Sequence, residues 1–149
     1  YPPMTIFYVP AVSLPDEPVR QGDTWEMRIG WLTLEDRVPL EMSMVSILKG
    51  FYKCGMQRCA DIEVSGSVAL IEKREATAPN STHFYSRFQG RLLLSLETGS
   101  VVWSLVKSQD RVEAGSVQKN ESSCMEAILV EPVAFKTDTR DKPKCSVQN

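Results

Sequence analysis

Between Asp23 and Val130 apolar and polar residues alternate in short blocks, with Gly, Asp, Asn and Ser at the breaks. A period of two is that of a strand with one buried face, and such blocks joined by turn residues predict an antiparallel sheet. Trp25, Met27, Ile29 and Trp31 alternate with Glu26, Arg28 and Gly30, the clearest strand in the first half. Leu40, Met42 and Met44 continue the pattern. The apolar phase then shifts to Val45 and Ile47, as a bulge or burial on both faces would produce. Residues 50–59 make a hairpin. Ala60, Ile62, Val64, Val68 and Leu70 form the next apolar face, with Gly66 on it as a bend. Residues 72–82 are polar and contain Pro79-Asn80, so they form a loop. Phe84, Phe88, Leu92, Leu94 and Leu96 share one face of a long strand kinked at Gly90. Glu97-Thr98-Gly99 turns tightly, and Val101, Trp103 and Leu105 return. Residues 109–123 are polar, and Arg111-Val-Glu-Ala114 fits either a turn of helix or an extension of the hairpin. Met125, Ala127 and Leu129 form the last strand, stopped by Pro132.

No segment holds i, i+3, i+4, i+7 apolar spacing for three turns, so no long helix is expected. The prediction is an all-β chain of six or seven strands. It is an antiparallel meander curled into a barrel, half-barrel or sandwich to bury its apolar face. Three segments follow. Residues 1–22 are an extended arm with prolines at positions 2, 3, 10, 15 and 18, which exclude a helix of normal length. Within it residues 4–9 read as an edge strand ending at Pro10, which makes Met4, Ile6 and Tyr8 candidate partner contacts. Residues 23–135 form a single β domain, and 136–149 a polar tail.

A chain of 149 residues, 42% hydrophobic and 24% charged, is ordinary for one globular domain with a real core. A net charge of -2 gives no electrostatic reason to expect nucleic acid, whose binding domains carry basic patches. No run approaches the 18 apolar residues of a membrane-spanning helix. The opening Tyr1-Pro-Pro-Met4 has neither the basic nor the apolar region of a signal peptide, and a removed secretory signal would account for a first residue other than Met.

Catalytic equipment is sparse. His83 is the sole histidine and so the only candidate base for a Ser-His-acid triad, but no Gly-x-Ser-x-Gly elbow accompanies it. It reads as an exposed residue at a strand end. Zinc requires four ligands, commonly in two close pairs, and only Cys54 and Cys59 are close. The acidic residues Asp16, Glu17, Asp23, Glu35 and Asp36 fall in turns, and Glu26, Glu63 and Glu72 on polar strand faces, so no carboxylate pair suited to glycoside hydrolysis stands out. No cofactor is expected. Trp25, Trp31, Phe84, Phe88 and Trp103 have the spacing of core residues, and in a curved sheet the same residues can line a cavity for an apolar ligand. Asn80-Ser-Thr82 and Asn120-Glu-Ser122 are N-glycosylation sequons in expected loops.

Cys54, Cys59, Cys124 and Cys145 allow three pairings. A Cys54 to Cys59 bridge would close a hairpin loop, worth roughly 2 kcal/mol. One between Cys124 and Cys145 would tie the tail to the last strand, worth roughly 3 kcal/mol. Cys145 lies in a polar tail where no core shields a thiol, which favours oxidation and an exported protein.

Leu14-Pro-Asp-Glu-Pro-Val-Arg-Gln-Gly-Asp-Thr-Trp25 and Gly90-Arg-Leu-Leu-Leu-Ser-Leu-Glu-Thr-Gly-Ser-Val102, with Cys59-Ala-Asp-Ile-Glu-Val64 between them, resemble bacterial secreted and lipoprotein β-domains of uncharacterised function. The resemblance covers about two thirds of the chain and rests on turn chemistry: a Gly-Asp-x-Trp strand start and a Thr-Gly hairpin. It implies an open, curved sheet in a bacterial envelope or extracellular setting and carries no catalytic residue. The cysteines fall outside it. The expectation is a non-enzymatic structural or interaction module of a cell-envelope or extracellular assembly, periplasmic, cell-surface or secreted. Its partners would be other protein subunits, with self-association through the N-terminal arm. A carrier of a lipid-like apolar ligand inside the sheet is the alternative.

Overall fold

The computed structural model describes residues 14–32, 39–70 and 82–128. They form six antiparallel strands: β1 (Thr24–Leu32), β2 (Pro39–Cys54), β3 (Gln57–Leu70), β4 (Thr82–Ser95), β5 (Val101–Ala114) and β6 (Val117–Ile128). Each strand pairs with its sequence neighbours, so the sheet order is β1-β2-β3-β4-β5-β6. The meander is curled but not closed, which selects the open form among the architectures expected. The expected strand at residues 4–9, the 72–82 loop except for Thr82, and the 136–149 tail lie outside the described residues.

The two two-residue hairpins turn at Gly55-Met56 and Gly115-Ser116, each with glycine first at a φ near 60°. A primed turn of this kind matches the right-handed strand twist and demands a residue free to adopt positive φ. The second hairpin settles the two readings of residues 111–114. They extend β5, and no helix forms there. β6 accordingly starts at Val117, eight residues before the Met125 start expected from apolar alternation.

The register lines up rows of side chains across the sheet. Met27, Met44, Gly66, Phe88, Ser108 and Ser123 are successive cross-strand partners. Ile29, Met42, Val68, Ser86, Asp110 and Glu121 form the next row on the same face. Both rows pass from apolar at β1 to polar at β6. The main core therefore sits on β1–β4, around Met44, Ile62, Val64, Val68 and Leu92, all nearly inaccessible to solvent. Where the rows become polar their side chains hydrogen-bond one another. Ser86 Oγ donates to Asp110 Oδ1 at 2.5 Å, and the Ser108 and Ser123 hydroxyls share a hydrogen bond of 2.6 Å.

Gly66 is fixed by close approach. A Cβ there would overlap the Ser43 carbonyl oxygen and come within 2.7 Å of the Phe88 ring. The ring of the cross-strand partner covers the glycine, a recognised way of stabilising a strand glycine at a sharp bend.

The phase shift at Val45 and Ile47 is not a bulge. Met42, Met44, Ser46 and Leu48 are all buried on one face, while Val45 is exposed and Ile47 partly so. The bulge lies later, between Leu48 and Gly50. A second irregularity, between Leu93 and Leu94, puts Val101 on the main core face and Trp103 and Leu105 on the other. There Cys54, Cys59, Leu93, Val102, Trp103 and Leu105 form a second buried cluster. The sheet is buried on both faces at this end, where strict alternation predicted burial on one.

Candidate interaction surface

The strand edges and the polar face carry what the core does not use. Among the described residues β6 pairs on one side only, with β5, and its burial is slight along its whole length. An unpaired edge of 12 residues presents a row of backbone donors and acceptors able to take up another strand. β1 is the other outer strand. Met4, Ile6 and Tyr8, the expected partner contacts, lie outside the described residues.

The polar face over β3–β6 forms an open groove of ≈ 960 Å³. Its wall carries two cations, Arg87 and Lys107, with Tyr85, Gln89 and Gln109, and no carboxylate among the described lining residues. Arg87 Nε donates to the Tyr85 hydroxyl at 3.3 Å, which orients the guanidinium along the strand.

At the end of the sheet next to the second core cluster, Asp61 is 3% exposed and makes a bidentate pair with Arg91. Arg91 Nε donates to Oδ1 at 2.6 Å and Nη2 to Oδ2 at 2.9 Å. The same guanidinium lies 5.5 Å from the centre of the Tyr52 ring. The Asp61 hydrogen bonds raise the Arg91 pKa above its ordinary value, against a smaller opposing effect of burial. Nearby, Trp103 Nε1 donates to Glu126 Oε1 at 2.8 Å, giving the buried indole its partner. Neither Asp61 nor Glu126 stands out in the sequence as a functional candidate. The available signal was Asp61 between two apolar neighbours, Ala60 and Ile62, next to a cysteine-bearing strand end.

The five aromatic residues considered as a cavity lining are divided between the faces. Trp25, Phe84 and Phe88 pack on the main core face, Phe88 buried and the other two partly so. Trp103 is 1% exposed in the cluster on the opposite face. The Trp31 side chain lies outside the described residues. Phe84 borders a smaller open pocket of ≈ 440 Å³ with Leu70, His83 and Glu113. His83 is exposed at the start of β4, cross-strand from Glu113.

Cys54 and Cys59 form a disulfide across the β2–β3 hairpin, with Cα atoms 6.0 Å apart. Cys124 is also disulfide-bonded, and Cys145 lies outside the described residues. Asn120 stands exposed in the edge strand β6 and not in a loop; Asn80 lies outside the described residues. Among the described residues no group of three or more His, Cys, Asp or Glu side chains is placed to hold a metal ion. Comparison with protein-family models, with characterised proteins and with solved structures finds no match for this chain.

Proposed function

We propose that the chain is a non-enzymatic interaction module of a cell-envelope or extracellular protein assembly, and that it joins its partners by strand addition at the open sheet. The observation that carries this reading is β6: a long, exposed strand paired on one side among the described residues. Residues 4–9 are free of proline between Pro3 and Pro10, so each of their amides is able to donate to such an edge, while the flanking prolines disfavour a competing helix. Of the arm at residues 1–22, the stretch up to residue 13 would supply it, with Met4, Ile6 and Tyr8 as the side chains that select the site, since Val19 and Gly22 are held against the chain's own sheet.

The placement outside a reducing compartment is supported by the Cys54–Cys59 disulfide and by the oxidised Cys124. No helix among the described residues is long and apolar enough to cross a membrane.

Native mass spectrometry of the full chain, without reductant, tests the assembly. An oligomer or mixed complex that dissociates when residues 2–13 are deleted is the expected result. Assemblies unchanged by that deletion would refute the role of the arm. The carrier reading draws on the Phe84 pocket, and a monomer bearing extra non-covalent mass in the same spectrum would favour it.

A further inference from the structure

We propose that the tip of the β2–β3 hairpin, residues 53–58, docks on the surface of an anionic lipid bilayer, with Leu96 of the neighbouring turn beside it. This does not depend on the assembly reading above. Two-residue hairpin turns ordinarily take Gly, Asn or Asp, because the backbone requires them and water surrounds them. Here the second turn position is Met56, which is 97% exposed at the apex. Nothing in the fold requires methionine there. Leu96 is also exposed and belongs to the same end of the sheet, its amide donating to the Arg58 carbonyl at 2.9 Å.

The charge around this apolar apex has one dominant sign. Lys53 and Arg58 face each other across the hairpin, two residues from the bend. Glu97 is the one carboxylate in the residues of the two adjoining turns, 53–58 and 95–101, and no acidic residue occurs from Lys49 to Ala60. The chain as a whole is acidic, at -2, so the tip is a local exception. Two exposed aromatic residues, Phe51 and Tyr52, stand behind it on opposite faces. Arg58 lies over the Phe51 ring at 4.6 Å from its centre. With the tip innermost, an apolar apex, cations next and an aromatic collar behind match in turn the acyl boundary, the phosphates and the outer headgroup layer. The cations give complementarity to anionic headgroups, which a neutral apolar partner would not offer.

The hairpin is also rigid enough to present this tip. The Cys54–Cys59 disulfide closes the loop immediately behind the turn, so docking orders little further chain. Dihedral freedom at the apex is thus already restricted before contact.

The test is flotation of the oxidised full chain with vesicles of phosphatidylcholine alone and of phosphatidylcholine mixed equally with phosphatidylglycerol. Binding to the mixed vesicles that falls with added salt, and little binding to phosphatidylcholine, is the expected result. M56D lowers the partition about tenfold or more, by removing the buried apolar contact. K53Q and R58Q each lower it about fivefold. These side chains are exposed, and unchanged circular dichroism confirms the fold of each variant. Failure of the wild-type chain to float with the mixed vesicles would overturn the proposal, as would equal flotation of all variants.

Discussion

At the scale of single residues the most demanding feature is the Asp61–Arg91 pair. A carboxylate this buried is tolerable only with its bidentate partner in place. R91A is expected to destabilise the chain by about 3 kcal/mol in chemical denaturation, since it strands the carboxylate. R91K recovers only part of this, because an ammonium cannot present two parallel donors. A cation whose pKa is raised by folding contributes stability that is complete below its unfolded value and lost only as pH climbs through the folded one. Arg91 therefore stays charged throughout the neutral range, and loss of its own charge adds no pH dependence to the R91A penalty there. Ser46 is the converse case. Its hydroxyl is buried with no hydrogen-bond partner among the described residues. S46A should stabilise the protein by about 1 kcal/mol, seen as a higher denaturation midpoint with unchanged slope.

At the scale of elements, alternation revealed the strands of the main core, because a half-buried strand imposes a period of two on its own sequence. It located Trp25 to Trp31, the Ala60 to Leu70 face and the Phe84 to Leu96 face, except that β4 ends at Ser95 and Leu96 stands exposed in the turn. It did not reveal that β5 and β6 continue to Gly115 and back, because that hairpin is polar on both faces and leaves no apolar period to read. Nor did it show Trp103 on the second face, since a one-residue irregularity at Leu93 inverts the phase without changing the composition. The open edge at β6 leaves no trace in the sequence, because an edge is a property of pairing, which no single strand records. Gly66 reads from the sequence as a bend and Gly30 only as a position opposite the apolar face, and their packing divides them. G66A is expected to cost about 3 kcal/mol, because the added carbon meets backbone at Ser43. At Gly30 the nearest atom to an added carbon is the Leu40 carbonyl oxygen at 3.9 Å, so G30A should stabilise by about 0.5 kcal/mol. Thermal melts of the two variants should shift in opposite directions.

At the scale of the whole molecule the gradient across the rows decides what the sheet can do. A closed barrel would bury β6 against β1, and its rows would need apolar partners at both ends. Here Met27 and Ile29 stand at one end and Ser123 and Glu121 at the other, so closure would set carboxylate and hydroxyl against the apolar strand. The sheet stays open because its sequence makes closure costly, and β6 is left as an edge whose exposed side chains tolerate water while its backbone does not discriminate among strands. In an antiparallel pair alternate residues point their amides to opposite sides, so about half of the β6 amides face away from β5. Hydrogen exchange should separate these two sets in the monomer: those bonded to β5 protected, those facing outward exchanging with solvent. On assembly by strand addition the outward set gains protection, and in a chain lacking residues 2–13 it does not. If assembly leaves the outward amides as fast as before, subunits meet elsewhere than on this edge.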